Sequence, residues 1–334
     1  MTAWVLSALG SDGVFERAEL PVPALQPGHV IVRVAATSVN PADMKIRDGR
    51  SAALAPPTPM VLQMDVAGTV VAAADDVRAL AVGDEVFGCA GGVRGTAGAL
   101  ADYMLADARL LARKPASLSL RESASLPLVA LTAWEGLRWK TRIEPGQRVW
   151  VHGATGGVGH IAIQLAARDG AEVTATASTA KKLRIARELG ATHAVNYREE
   201  PTADFTHRLT GGAGFDVVVD TVGGEMLVHA LSAARPNGRV VSTVTRGTFD
   251  LGPMMSKALS LHSVLMLLPL LSGEGRERHA AMLVEIAAAV DDGWLRPLID
   301  EAAFTFDDVT AAYRRAASGD QVGKVVMSHP DGAG

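Results

Sequence analysis

Apolar and polar positions along the chain follow two rhythms in succession. Up to Gly88, short β-rich runs alternate with turn formers: Val30-Ile31-Val32-Arg33-Val34-Ala35-Ala36, Asp65-Val66-Ala67-Gly68-Thr69-Val70-Val71 and Gly83-Asp84-Glu85-Val86-Phe87-Gly88. Runs of this kind bounded by Gly, Asp and Pro predict strands, so the region predicts a strand-rich, barrel-like unit. The Gly-rich segment 91–98 that follows reads either as a mobile lid or as a surface turn. After Leu120 an Ala/Leu-rich helical stretch leads into apolar strands that alternate with amphipathic helices, the pattern of βαβ units on a parallel sheet. Strands are predicted over 148–152, 172–177, 193–195, 215–220 and 239–243, and helices over 157–168, 180–189 and 225–234. The fold class is therefore α/β, with a doubly wound parallel sheet. Beyond Gly273 come a helix over 276–291, the pair Leu298-Ile299, a helix over 306–318 and a closing strand over 324–327. Because strand-rich and mixed elements follow the sheet, the C-terminal segment is expected to return to the first unit. Residues 124–269 would then be inserted between 1–123 and 270–334.

Chemistry enters at the first βα junction. The strand ending at His152 runs through Gly153-Ala154-Thr155-Gly156-Gly157-Val158-Gly159 directly into a helix. Small residues between a strand and a helix let the backbone approach a pyrophosphate, whose charge sits among the unpaired N–H groups of the helix N-terminus. The flanking strand and helix supply the context the glycine pattern requires, although Ala154 stands where the first glycine is usual and demands a slightly different turn. The second strand normally ends in Asp or Glu when the cofactor is NAD, because a carboxylate bonds the ribose 2′-hydroxyl. Here it ends at Ala177-Ser178, followed by Thr179, Lys181 and Lys182, and hydroxyls and ammonium groups suit a 2′-phosphate. NADPH is the expected cofactor. A solvated helix face is the alternative reading of Lys181, Lys182 and Arg184.

Composition narrows the classes. With 48% hydrophobic and 20% charged residues the chain is an ordinary globular one, long enough at 334 residues for two domains. A net charge of -4 without a basic stripe gives no support for a nucleic-acid partner. Cys89, the single cysteine, excludes an internal disulfide and a multi-thiolate metal site, and it reads as a small buried hydrophobe. The nine histidines show no paired spacing, so no metal site and no zinc-dependent alcohol oxidation are expected. The N-terminus lacks a basic stretch followed by an apolar one, which makes a secretory signal unexpected and the cytoplasm the default. The apolar segment 259–271 contains Ser260, His262, Ser263 and Pro269 and is too short to span a bilayer; it predicts a buried or interface strand, and no membrane association is expected.

These marks together resemble the zinc-independent quinone oxidoreductases of the medium-chain dehydrogenase/reductase superfamily, over essentially the whole chain. They are Ser38-Val39-Asn40-Pro41-Ala42-Asp43, Gly83-Asp84-Glu85-Val86, Leu126-Pro127 through Leu131-Thr132-Ala133, the Ala154 to Gly159 loop, Asn196-Tyr197-Arg198-Glu199, Asp220-Thr221-Val222-Gly223 and Gly323-Lys324-Val325-Val326. The resemblance implies a GroES-like β-barrel catalytic domain made from both chain ends, a central Rossmann domain, and a cleft holding NADPH. It also implies a homodimer formed through the last strand of the nucleotide sheet, here residues 261–267. Carried over by position, Asn40 and Thr132 lie near the nicotinamide, and Ala154, Thr155, Gly156, Gly157 and Val158 at the pyrophosphate. Ser178, Lys182 and Tyr197 surround the 2′-phosphate, and Val222 and Gly223 approach the nicotinamide-ribose side. Where many quinone oxidoreductases carry a tyrosine five positions after the asparagine, this chain has Lys45, an arrangement similar to the alkenal and enone reductases.

The expected reaction is hydride transfer from NADPH to a quinone or an activated C=C, with Asn40 or Lys45 donating a hydrogen bond to the substrate oxygen. A turn residue and a surface cation are the plain alternatives for those two residues. An enoyl-thioester reductase and a non-catalytic NADPH-binding protein, crystallin-like or regulatory, are the competing readings of the whole.

Overall fold

A computed structural model describes residues 1–331. The chain divides into two compact units. One comprises Met1–Leu128, Leu267–Gly293 and the chain from Pro297 onward; the other comprises Val129–Met266 with Trp294–Arg296. Among the described residues no helix is long and apolar enough to cross a membrane.

The first unit is antiparallel for the most part and is organised on the strand His29–Ser38, buried along most of its length. That strand pairs with Asp65–Ala73, with Tyr103–Asp107 and with the C-terminal strand Val326–Ser328, in a register that sets Val326 opposite Ser38. Asp65–Ala73 passes the sheet on to Glu85–Cys89 and then Leu111–Arg113. A smaller sheet joins Phe15–Glu19, Thr2–Leu6 and Met60–Val61. Segment 91–98 is a turn that reaches the surface at Arg94 and Gly95 and is held at its ends. Gly91, Gly92, Val93 and Gly98 are buried, Arg94 N donates to Leu54 O at 3.0 Å and Gly98 N to Val61 O at 2.8 Å. Its backbone groups are spent on neighbouring chain, which fixes the loop.

The second unit is a six-stranded, wholly parallel sheet. Its order is His193–Asn196, Glu172–Ala177, Arg148–Val151, Phe215–Asp220, Ala234–Ser242, Ser260–Ser263. The order reverses beside the first strand, Arg148–Val151, and ligands bind at such a switch point, outside the carboxyl ends of the strands. Trp150, Phe205, Phe215, Leu227 and Leu231 form a buried cluster on one face, with Trp150 edge-on to Phe205 at 5.0 Å between centroids. The helices Gly157–Arg168 and Ala180–Glu188 follow the first two strands, as the periodicity predicts.

Several boundaries differ from the sequence reading, each for a local reason. The strand expected within 259–271 is only Ser260–Ser263; Val264 N makes one more bond, to Ser242 O at 3.0 Å, and Pro269 then sits in the first turn of a separate helix, Leu268–Ser272. The run 261–267 is therefore not one strand. The helix expected over 306–318 starts as a 3₁₀ turn, Phe306–Asp308, fixed by a Thr305/Asp308 capping box, and continues as Val309–Ala317. The closing strand moves from 324–327 to Val326–Ser328, because Lys324 is instead drawn into a parallel bridge with Ile299. The helices Thr202–Thr210 and Gly252–Lys257 and the π-helical extension Glu135–Thr141 carry too few apolar positions at helical spacing, or too short a run, to be read from the pattern.

Candidate functional site

Two clusters hold the residues singled out by sequence. In the parallel unit, the strand Arg148–Val151 delivers His152 and then the loop. The unusual backbone is at Gly153, with φ +63°, where a Cβ would meet Thr221 Oγ1 at 2.8 Å. The tight turn is thus made one residue earlier than the usual first glycine, and Ala154 needs no left-handed conformation; it is buried, and its N–H donates to Thr176 O at 3.1 Å. At Gly159 a Cβ would lie 2.1 Å from Gly153 O, so only glycine lets this helix pack on the loop. The helix N-cap, Gly156, has no side-chain hydrogen bond, and no acidic residue occupies the first turn. Gly156 is exposed, and Gly157 and Val158 are half-buried. Orphan N–H groups, an open helix end and close backbone approach are what a pyrophosphate requires, so these residues fit a dinucleotide.

The other cofactor candidates gather around the same sheet edge. Ala177 pairs with Asn196, and Tyr197 N donates to Ala177 O at 3.3 Å, so Ser178 and Tyr197 are neighbours at adjacent strand ends. Tyr197 is 48% exposed. Thr179 caps the following helix by accepting from Lys182 N at 3.3 Å, and the Lys182 side chain is half-buried. No carboxylate ends the second strand, so this donor set suits a phosphate rather than a free 2′-hydroxyl. Thr132, of the same unit, is buried on the helix Pro127–Trp134.

Sequence reasoning named the Val222-Gly223 turn but missed what holds it. Asp220, fully buried, accepts from Val222 N at 3.0 Å, Gly223 N at 2.9 Å and Ser242 Oγ at 2.8 Å, with His152 Nδ1 at 3.4 Å. Burial raises its pKa, but these donors outweigh burial and hold the carboxyl below the usual range. Burial also pushes His152 down, against the pull of Asp220. Thr221 Oγ1 donates to His152 O at 3.0 Å, tying the Val222-Gly223 turn to the start of the glycine-rich loop, while Val222 itself is 53% exposed.

The second cluster lies in the barrel-like unit. Asn40 caps the helix Pro41–Arg47 in a capping box with Asp43, and its N–H donates to Asp43 at 2.9 Å. The Asn40 side chain is fully buried. Its Nδ2 donates to Asp65 Oδ2 at 2.8 Å and more weakly to Ser38 O at 3.4 Å, and its Oδ1 accepts from Lys324 Nζ. Both amide hydrogens are therefore engaged, leaving none for a substrate oxygen. Lys45 lies half-buried on the same helix and engages no acceptor among the described residues. Asp43 and Lys324 stood in the motifs quoted from sequence without being assigned a role, and Asp65 was read only as part of a strand; the three-residue spacing of Asn40 and Asp43 is a local sign of the capping box. Burial first, and then the charge of Asp65, push Asp43 up to about 7, and burial pushes Lys324 down.

Comparison with known proteins matches these two halves separately. Residues 26–116 fit the alcohol dehydrogenase GroES-like domain and residues 157–278 the zinc-binding dehydrogenase family. The chain is 34% identical to 2-methylene-furan-3-one reductase of Solanum lycopersicum, over 99% of this chain and 79% of that protein. It is 35% identical to the spectinabilin polyketide synthase system protein NorB of Streptomyces orinoci, spanning 98% of this chain but only 14% of NorB. Its fold superposes on the Escherichia coli quinone oxidoreductase complexed with NADPH with a TM-score of 0.86, at 25% identity, over 98% of this chain and all of that one. The metal in the second family's description finds no fit here. Among the described residues no group of three or more His, Cys, Asp and Glu could hold an ion, and Cys89 is buried, its thiol pushed up by burial and by Asp65. By its strand order, its glycine-rich strand-to-helix loop, its GroES-like sheet and relatives that match nearly all of its length, the chain belongs to the medium-chain dehydrogenase/reductase superfamily, among the quinone oxidoreductase-like members.

Proposed function

We propose that the protein is an NADPH-dependent reductase of quinones or of α,β-unsaturated carbonyl compounds. The observation that carries this reading is the open, uncapped helix end at Gly156 beside a strand end that lacks a carboxylate at Ser178. In support, one relative is named for an enone and a structural neighbour is a quinone oxidoreductase complexed with NADPH. Bound NADPH supplies the hydride.

The chain supplies position and charge. Ala154, Thr155, Gly156, Gly157 and Val158 border the pyrophosphate, which the N–H groups at the open helix end receive, Ser178, Lys182 and Tyr197 take the 2′-phosphate, and Val222 and Gly223 border the nicotinamide ribose. Asn40 and Thr132 line the nicotinamide end. With NADPH bound, hydride delivered to the electrophilic carbon would shift the conjugated π electron pair onto the substrate oxygen, and a proton from solvent or a side chain would complete the reduction. Since the Asn40 amide is already committed, Lys45 is the residue we assign to that oxygen, where an ammonium stabilises developing negative charge.

We further assign residues 1–123 and 270–334 to a catalytic domain and 124–269 to the cofactor domain. The protein is a cytoplasmic homodimer in this reading, joined through the sheet edge at Ser260–Ser263; exposed Leu251, Met255 and Leu265 nearby support that contact. Light scattering is expected to return twice the chain mass, and a monomeric mass would remove the dimer. Recovery from another compartment after cell fractionation would remove the localisation.

A second reading is reduction of an enoyl thioester; in its support, the chain is similar to part of NorB, a polyketide synthase system protein. One experiment separates these. NADPH oxidation is followed over quinones, enones, enals and enoyl thioesters, with and without a chelator and with NADH alongside. Turnover of quinones or enones, insensitive to chelator, is expected. Turnover of enoyl thioesters alone would establish the second reading, and NADPH binding without turnover of any substrate would make the protein a non-catalytic binder.

A further inference from the structure

The buried cluster around Asn40 is built with more care than a turn requires. Asp65 is fully buried at the start of the strand Asp65–Ala73, and four groups converge on its carboxylate. Oδ2 accepts from Ser38 Oγ at 2.6 Å and Asn40 Nδ2 at 2.8 Å and faces Lys324 Nζ at 3.5 Å. Oδ1 accepts from Leu128 N at 2.8 Å. Leu128 lies in the first turn of the helix Pro127–Trp134, whose N–H groups have no partner within the helix. One carboxylate thus anchors the start of the helix that carries Thr132 and also holds the donor end of the Asn40 amide. Lys324, 3% exposed, holds the acceptor end and donates to Val39 O at 3.0 Å. An amide between an anion and a cation has a single favoured orientation, because turning it over would face donor to donor and acceptor to acceptor.

We propose that Asp65 is a positioning residue for hydride transfer: with Lys324 it sets the orientation of the Asn40 amide, the group assigned above to the nicotinamide end. This rests on the reading above that Asn40 lines the nicotinamide end. Asp65 touches neither substrate nor cofactor. The rest of the cluster keeps its charge in balance. Asp43 is fully buried beneath Asn40 N, and Gln63 donates to it at 3.0 Å in the amide orientation that satisfies both groups. Two carboxylates face one ammonium here, and burial together with the charge of Asp65 pushes Asp43 toward its protonated form. Cys89 and Tyr313, from two other elements, face the same cluster and are both buried.

The test measures cofactor binding and chemistry separately. Asp65→Asn keeps an acceptor for Leu128 N but cannot hold Lys324 and Asn40 in their present pairing. Its NADPH Kd is expected to stay within about 2-fold of the parent, because the phosphate loop is untouched, while kcat falls by about 100-fold, the loss that follows a misplacement near 1 Å. The primary isotope effect on kcat with 4-deuterated NADPH is expected to rise as the hydride step becomes limiting. A loss of kcat that only follows the folded fraction, with an unchanged isotope effect, would overturn the proposal. Asp65→Asn with Lys324→Met removes both charges together and avoids an unpaired buried ion. It is expected to regain thermal stability but not kcat; full recovery of kcat would also overturn it. A parent protein that neither binds nor oxidises NADPH would instead bring down the functional reading itself.

Discussion

The phosphate loop and the Asn40 cluster solve opposite electrostatic problems with opposite materials. Around Gly153 and Gly159 the work is done by backbone: side chains are absent, and N–H groups at the helix end are left for a ligand. Around Asn40 it is done by side chains, and the buried charges of Asp65 and Lys324 are satisfied from within the protein. A site that must accept a highly charged cofactor leaves its donors exposed, whereas a site that must only hold its shape consumes them. The two regions should therefore respond differently to the same kind of perturbation.

The largest effect is expected at the loop. Gly159→Ala forces a Cβ against Gly153 O, which neither the strand nor the helix can yield cheaply. A loss of about 1–3 kcal/mol is expected in chemical denaturation, together with an NADPH Kd weakened beyond the range of an ordinary surface variant. An alanine protein within 0.5 kcal/mol of the parent, on the scale of a neutral surface change, would show that the close approach is not needed.

That difference in material also decided what could be read from sequence. The loop is contiguous, flanked by a strand and a helix of clear period, so its position followed from local pattern alone, and the role proposed for it rests on the same pattern. Even there, the residue with the left-handed backbone, Gly153, lay just outside the motif as read, and Ala154 drew attention to the wrong position. The Asn40 cluster joins residues 284 positions apart, Asn40 and Lys324, and no local period announces such a contact. Asp220 stood in a recognised motif, yet its role in binding the turn beneath it required the hydrogen bonds. The apolar run at 261–267 misled because hydrophobicity alone does not separate a strand from a short helix begun by a proline.

A smaller effect, opposite in character, is expected in the barrel-like unit. Asp43 is pushed up to about 7 in the folded protein from an ordinary value of 3.8, so the folded state holds a proton that the unfolded state releases. The stability this contributes is complete below about pH 4 and is lost as pH rises through about 7. Asp43→Asn mimics the protonated form. Its Tm relative to the parent is expected to rise between pH 5 and pH 8, flattening the decline; two parallel pH curves would mean that Asp43 does not carry this proton.

The most direct measurement titrates the purified chain with NADPH and with NADH by calorimetry, alongside Ser178→Asp, which restores a carboxylate at the second strand end. The account predicts that the parent binds NADPH at least about tenfold more tightly, a difference of roughly 1.4 kcal/mol, and that Ser178→Asp narrows or reverses the preference. Equal affinity of the parent for the two nucleotides, or a preference unmoved by the new carboxylate, would contradict it.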